Sequence, residues 1–315
     1  MSFAAEVRNE LARIMPEKIC CSQAEIHALL ITSGQEFTMP NDECLLLVTA
    51  ENVATARKIY KLLKETYQLS ATVITDNRKR FKKKRSLQVQ AVLTANQKQS
   101  LEVLNINKTK SIINWSWITK SCCKRAFLRG IFLSRGFISK PESNYHLEIV
   151  LNNSKLAYEL LKILNKVDLI AGIIQRKHQT VLYIKESEKI VDFLRLVGAS
   201  KGLLYYENVR ILKSMRNTVN RQVNCETANL VKTIEASVRQ TKLVERLLER
   251  GMLKHLDPPL SELAELRLVY PDATLKELGE MLTSPLSKSG TAYHMRKLEK
   301  LAAEIEYCES QHNII

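Results

Sequence analysis

Residues 20–34, CCSQAEIHALLITSG, and residues 122–136, CCKRAFLRGIFLSRG, carry the same pattern twice, 102 positions apart. Each copy opens on a cysteine pair, Cys20-Cys21 and Cys122-Cys123, and closes on a glycine, Gly34 and Gly136. Between them a small residue recurs every fourth position: Ala24, Ala28 and Thr32 in the first copy, Ala126, Gly130 and Ser134 in the second. Positions i and i+4 share one face of a helix, so each copy has a stripe narrow enough for two backbones to approach closely. The flanking positions are apolar, Ile26, Leu29, Leu30 and Ile31 against Leu128, Ile131, Phe132 and Leu133. The economical reading is one duplicated unit whose two helices pack together at a pseudo-two-fold axis.

The order of elements after each helix repeats as well. Following the first copy, Cys44–Ala50 reads as a buried strand. Val53–Thr66 then reads as a helix with the stripe Ala56, Ile59, Leu62 and Leu63. Strands follow at Ser70–Thr75 and Ser86–Leu93, joined by a basic stretch, and a short helix is expected near Ser100–Leu104. The second copy runs strand Tyr145–Leu151, helix Ser154–Asn165, strands Ile170–Arg176 and Thr180–Ile184, then helix Ser187–Val197. Each unit is therefore expected to be αβαββα, with helices on one side of a mixed sheet.

Ile26–Gly34 and Leu128–Gly136 resemble the paired helices of the LAGLIDADG homing-endonuclease fold. That resemblance implies a metal-binding carboxylate just before each final glycine. Ser33 and Arg135 stand there instead. A serine is at best a weak neutral ligand for Mg²⁺ and an arginine repels it, so these read as degenerate catalytic positions, with no catalytic residue left. Glu36 and Glu142 are the nearest acids, and both are expected in loops beyond the helix ends.

Composition narrows the class of partner. The chain has 315 residues, 45% of them apolar, which permits two or three domains with real cores. It carries 48 Lys and Arg against 33 Asp and Glu, a net charge of +15. Such an excess points to a polyanion, nucleic acid before membrane. No apolar run reaches the length of a membrane span, and the start of the chain, MSFAAEVRNELARI, reads as an amphipathic helix rather than a secretion signal. The seven cysteines are odd in number and their adjacent pairs lack zinc-site spacing. They read as reduced thiols of a cytoplasmic protein that pack at the start of each repeated helix, with no metal and no cofactor expected. The basic stretch is Arg78, Lys79, Arg80, Lys82, Lys83, Lys84 and Arg85, interrupted by a single phenylalanine. It reads as a hairpin tip that is either solvated or laid against the DNA backbone.

Beyond residue 200 the sequence becomes charged and helical. Asn217, Asn220, Asn224 and Asn229 cluster there, as turn and cap residues or as phosphate contacts, before a long helix from about Glu226 to Arg250 that Gly251 ends in a left-handed cap. Residues 260–302 then give three short helices. Ser261 caps the first, with Leu263, Leu266 and Val269 inward; Thr274 caps the second, with Leu275, Leu278 and Leu282 inward and Gly279 allowing close packing. The third runs from about Ser287 to Leu301, its core face Thr291, Met295 and Leu298. This is the helix-turn-helix arrangement. Its outward face, Ser287, Lys288, Ser289, Ala292, Tyr293, Arg296 and Lys297, supplies short hydroxyls, cations and an arginine able to grip guanine. His294 borders the buried stripe and reads as packed rather than catalytic. The module resembles the region of bacterial sigma factors that recognises the −35 promoter element.

A degenerate LAGLIDADG duplication followed by a sigma-like module resembles the sporulation-regulator WhiA family of Gram-positive bacteria. SFAAEVRNELARI (2–14), CKRAFLRGIFLSRGFI (123–138), NTVNRQVNCETAN (217–229) and KSGTAYHMRKL (288–298) carry the likeness. The expected fold class is α+β, a duplicated LAGLIDADG-like αβαββα domain followed by an all-α helix-turn-helix domain. Residues 1–200 form the duplicated domain (repeats about 1–105 and 106–200), 201–225 a helical linker and 226–310 the helix-turn-helix domain. The resemblance implies a DNA-binding transcriptional regulator or nucleoid-associated protein in sporulation and cell-division control, cytoplasmic on the nucleoid, and not a nuclease. Its expected partner is double-stranded DNA, with RNA polymerase or another regulator as a second. An active LAGLIDADG-type nuclease, or a duplicated domain that binds a protein or small ligand, are the rival readings.

Overall fold

The duplicated helices are Ile19–Ser33 and Ser121–Arg135 in the computed structural model, which describes residues 2–39, 43–76, 86–94, 97 and 113–312. Two units emerge, residues 1–214 and 215–315. In the first, α1 (Phe3–Arg13) is capped by Ser2, whose Oγ accepts from the Ala5 amide. The first repeat follows as α2 (Ile19–Ser33), β1 (Gly34–Thr38), β2 (Cys44–Ala50), α3 (Val53–Tyr67), β3 (Ala71–Asp76) and β4 (Ser86–Leu93). The second is α4 (Ser121–Arg135), β5 (Gly136–Ile138), β6 (Leu147–Leu151), α5 (Ser154–Asn165), β7 (Gly172–Arg176), β8 (Gln179–Ile184) and α6 (Ser187–Val197). The sheets are antiparallel and ordered alike, β1-β2-β4-β3 and β5-β6-β8-β7. Along β2 and β6 every second residue is buried, so each sheet gives one face to the helices.

Each repeat has one strand more than the expected αβαββα. β1 and β5 grow from the helix ends without a loop, and at five and three residues they are too short to show a period. Glu36 consequently lies on a strand rather than in a loop, whereas Glu142 does sit in a turn. The glycines at these junctions have ordinary negative φ, −79° and −82°. Space is what they supply: a Cβ on Gly34 would fall 2.5 Å from the Leu30 carbonyl oxygen, and one on Gly136 2.2 Å from the Phe132 ring.

α2 and α4 pack as their stripes require. Ala24, Ala28 and Ala126 are buried, and a Cβ on Gly130 would fall 2.6 Å from the Glu25 carbonyl oxygen. Ile26, Leu29 and Leu30 on one helix and Leu128, Ile131, Phe132 and Leu133 on the other carry the common core to both sheets. A charged clamp that the sequence did not reveal crosses this interface. Glu25, fully buried, takes a two-pronged ion pair from Arg129 (3.0 and 2.8 Å) and another from Lys58 of α3 at 2.5 Å. Lys58 also donates to the carbonyls of Leu11 and Ile14 at 2.9 and 2.6 Å, tying in the end of α1.

From Ser200 to Glu249 the chain is one 50-residue helix, α7. The turn reading of Asn217, Asn220, Asn224 and Asn229 is thereby corrected: all four are exposed positions inside it. An exposed asparagine costs a helix only several tenths of a kcal/mol (~0.7 at most), which good helix formers on either side offset. Gly251 does adopt the left-handed conformation, φ +69°.

In the second unit the core joins Val244 and Leu247 of α7 to α8 (Pro258–Val269), α9 (Leu275–Met281) and α10 (Lys288–His312). α8 begins at Pro258 after Asp257, so Ser261 is not its cap. Leu263 is buried and Leu266 partly so, but Val269 is 66% exposed and Arg267 lies inside instead. The Arg267 guanidinium donates to the Pro271 and Ala273 carbonyls at 3.2 and 2.6 Å, fixing the turn before α9. Thr274 caps α9 reciprocally with Glu277.

Candidate nucleic-acid interface

α10 presents two faces with opposite chemistry. Thr291, Met295, Leu298 and Ala302 are buried at i, i+4, i+7 and i+11 and seat the helix on α8 and α9. Gly279 makes that seat possible, since a Cβ there would fall 2.3 Å from the Thr291 hydroxyl oxygen and 2.5 Å from the Leu286 carbonyl oxygen. Opposite, Ser287, Lys288, Ser289, Tyr293, Arg296 and Lys297 are exposed, with Ala292 half-buried between them. Ser287 starts the helix, its Oγ accepting from the Gly290 amide at 3.3 Å and lying 2.9 Å from that of Ser289. Arg296 folds back to the Ala292 carbonyl at 3.2 Å, and Lys297 reaches Asp257 at 3.3 Å. Both contacts are solvent-exposed and weak enough to exchange for a phosphate or a base edge. His294 is half-buried, its ring edge-on to Tyr293.

The feet of the paired helices hold no carboxylate at the two positions in question. The Ser33 hydroxyl donates back to the Leu29 carbonyl at 2.7 Å. Arg135 extends across the interface and donates from Nε and Nη2 to the Thr32 carbonyl at 3.0 and 2.6 Å. It thereby satisfies a carbonyl of the last turn of α2, which has no partner within its own helix. Burial lowers the Arg135 pKa from its usual value. Beside it, Thr32 and Ser134 hydroxyls join the helices at 2.6 Å. The neighbouring acids are already engaged, Glu36 by the Cys44 thiol at 3.0 Å and Glu142 by the Tyr205 hydroxyl, which holds that carboxyl below its usual range.

The basic stretch Arg78, Lys79, Arg80, Lys82, Lys83, Lys84 and Arg85 lies outside the described residues, as does the helix expected near 100–104. Two features of the first unit escaped the sequence reading, the Glu25 clamp and a convergence of the cysteine pairs. Four sulfurs, those of Cys20, Cys21, Cys122 and Cys123, lie within 4.8 Å of one another. Each adjacent pair alone lacks zinc-site spacing, but the helix pairing brings both pairs to one place. Among the described residues no helix is long and apolar enough to cross a membrane.

Three family profiles cover most of the chain: the WhiA N-terminal LAGLIDADG-like domain over residues 19–106, the WhiA LAGLIDADG-like domain over 124–216, and the WhiA C-terminal HTH domain over 219–302. The protein named "Probable cell division protein WhiA" of Syntrophomonas wolfei is 54% identical over 311 residues, 97% of this chain and 99% of that one. That of Desulfitobacterium hafniense strain Y51, named likewise, is 46% identical over 97% of both chains. The crystal structure of full-length DUF199/WhiA from Thermatoga maritima shares the fold, with a TM-score of 0.60 at 24% identity over 96% of this chain and 99% of that one. With its two LAGLIDADG-like repeats and C-terminal helix-turn-helix, this chain belongs to the WhiA family.

Proposed function

We propose that this protein is a sequence-specific DNA-binding transcriptional regulator in sporulation and cell-division control, working in the cytoplasm on the nucleoid, and that it does not cut DNA. The observation that carries the reading is the exposed polar and basic face of α10, backed by a buried stripe that fixes its orientation. Its relatives are named as probable cell division proteins. α10 enters the major groove. Ser287, Ser289 and Lys288 hold phosphates, Ala292 abuts a thymine methyl, and Arg296 reads a base. Tyr293 and Lys297 flank this contact. The labour divides among the duplicated domain (1–200), the helical linker (201–225) and the reader (226–310). The duplicated domain adds backbone contact through its basic stretch or recruits RNA polymerase or another regulator. The absence of cleavage is supported by the chemistry of the helix feet, where a hydroxyl and a guanidinium are turned into helix carbonyls.

The test is a gel shift with duplexes selected for binding and with scrambled controls. Arg296→Ala costs about 1–3 kcal/mol on the selected duplex and relaxes preference at one position. Equal losses on both duplexes would make Arg296 a phosphate contact, and no loss would remove α10 as the reader. In a second arm, supercoiled plasmid with Mg²⁺ or Mn²⁺ stays intact. Nicking that vanishes on Glu36→Gln or Glu142→Gln would overturn the non-catalytic reading.

A further inference from the structure

We propose that Cys20, Cys21, Cys122 and Cys123 form a binding site for one thiophilic divalent cation, zinc in the first instance, which staples the two repeats at the N-terminal ends of α2 and α4. The four sulfurs lie within 4.8 Å of one another, and those of Cys122 and Cys123 are 3.9 Å apart. A tetrahedral zinc with Zn–S bonds of about 2.3 Å has S···S edges of about 3.8 Å, so the cluster needs to contract by about 1 Å at most. A thiolate set of this kind selects a soft or borderline cation over Mg²⁺ or Ca²⁺. An iron–sulfur core would need the cysteines spread apart to admit its bridging sulfides.

The surroundings suit the charge. Four thiolates around a divalent cation leave a net charge of −2, which must be offset if it is to be half-buried. Each cysteine pair occupies the second and third positions of its helix, where the positive end of the helix dipole and its uncommitted amides lie. Neither helix has a side-chain cap, because the cap positions are Lys18 and Lys120. A lysine cannot accept from those amides, but its cation can offset the thiolates. Cys21 and Cys123 are buried while Cys20 and Cys122 are partly open, so the cluster has a sheltered side and an entry side.

The thiols already interact. Hydrogen bonding from Cys21 lowers the pKa of Cys122, while burial pushes Cys21 up to about 12 and Cys123 up to about 11. On metal binding all four Sγ atoms bond to the cation and their thiol protons pass to solvent, so affinity rises with pH. The site lies at the opposite end of the helix pair from Ser33 and Arg135. It fixes the pairing where no charged clamp or hydroxyl bridge acts, Glu25 and Thr32 being farther along α2.

The experiment uses the full chain, reduced and stripped of metal, titrated with Co²⁺ under argon. The expected result is thiolate-to-cobalt charge transfer in the near ultraviolet, with tetrahedral ligand-field bands in the red. Both saturate at one equivalent and are abolished by added Zn²⁺. The Cys20→Ser/Cys122→Ser variant loses these bands, whereas Cys225→Ser, a change to an exposed cysteine in the second unit, keeps them. Zn²⁺ also raises the melting temperature of the parent chain but not of the double variant. Absence of charge transfer in the reduced parent would overturn the proposal. So would bands unchanged in Cys20→Ser/Cys122→Ser, or a purified protein with a disulfide between α2 and α4 that binds no Co²⁺ after reduction.

Discussion

Replacing Glu25 by glutamine leaves the shape of the helix interface unchanged and removes the only charge that faces Lys58 and Arg129 from α2. Lys58 is fully buried, and burial holds its ammonium down to about 8 from 10.5, against the opposing pull of Glu25. Without that pull the pKa falls further and Lys58 is neutral in the folded variant at pH 7. The unfolded chain still carries the proton. The cost of stripping it is about 1.4 kcal/mol for each unit between pH 7 and 10.5, a ceiling of about 5 kcal/mol. Breaking a buried pair by removing one partner gives about 3–5 kcal/mol, in agreement. The pH dependence is diagnostic. Between pH 7 and 8 the folded parent still holds most of the Lys58 proton, so this site adds only a small slope. In Glu25→Gln only the unfolded state binds it, so stability rises by about 1.4 kcal/mol per unit and the deficit narrows by about 1 kcal/mol from pH 7 to 8. Above about pH 8 the parent also begins to gain from the loss of this proton, and the narrowing stops. Both tryptophans of the chain, Trp115 and Trp117, lie in the first unit and pack on its core. Urea unfolding followed by their fluorescence therefore reports this unit alone. A deficit below about 1 kcal/mol, or one that does not change between pH 7 and 8, would refute the clamp as a source of stability. Glu25→Leu/Lys58→Met/Arg129→Leu should recover most of the loss, because an apolar replacement of all three partners leaves no charge buried.

Other predictions concern packing and protonation. Gly279→Ala drives a methyl into the Leu286 carbonyl and the Thr291 hydroxyl. It should destabilise the C-terminal unit by about 1–3 kcal/mol. In the full chain the helical circular dichroism would melt earlier while the tryptophan transition stays put; an unchanged melt would show that α9 and α10 can yield. His27, buried edge-on to Trp117, is held near 4 by burial against an unperturbed 6.5. Between those values the unfolded chain binds the proton and the folded one does not, so stability falls on acidification. From pH 7 to pH 5 the loss is about 2 kcal/mol. In His27→Gln that component disappears, and an equal loss in both proteins would place the acid sensitivity elsewhere.

The helix pair and the reader module were legible because each is a local pattern. Small residues four apart, from Ala24 to Thr32 and from Ala126 to Ser134, define a face wherever the helix lies. Thr291, Met295 and Leu298 likewise fix which side of α10 looks outward. Spacing along one chain segment settles such matters before any packing occurs. β1 and β5 were not legible, since strands of five and three residues carry too little periodicity and exist only because β2 and β6 pair with them. The asparagines of α7 misled because their local preference for turns is worth less than the helix on either side. Arg267 displaced Val269 from the core because the turn at Pro271 and Ala273 offers carbonyls that only a long donor can reach.

Glu25, Lys58 and Arg129 come from three helices, and no spacing relates them: in the duplicated pattern the counterpart of Glu25 is Phe127. The cysteines show the same division most simply. The sequence placed one pair at the head of each repeated helix, and adjacent cysteines alone enclose nothing. Only the close packing of α2 on α4, which a glycine at position 130 allows, brings the four sulfurs within reach of one another. Sequence determined the local faces; the distance between groups far apart in the chain was decided by tertiary packing, because the backbone separation at the helix contact sets it.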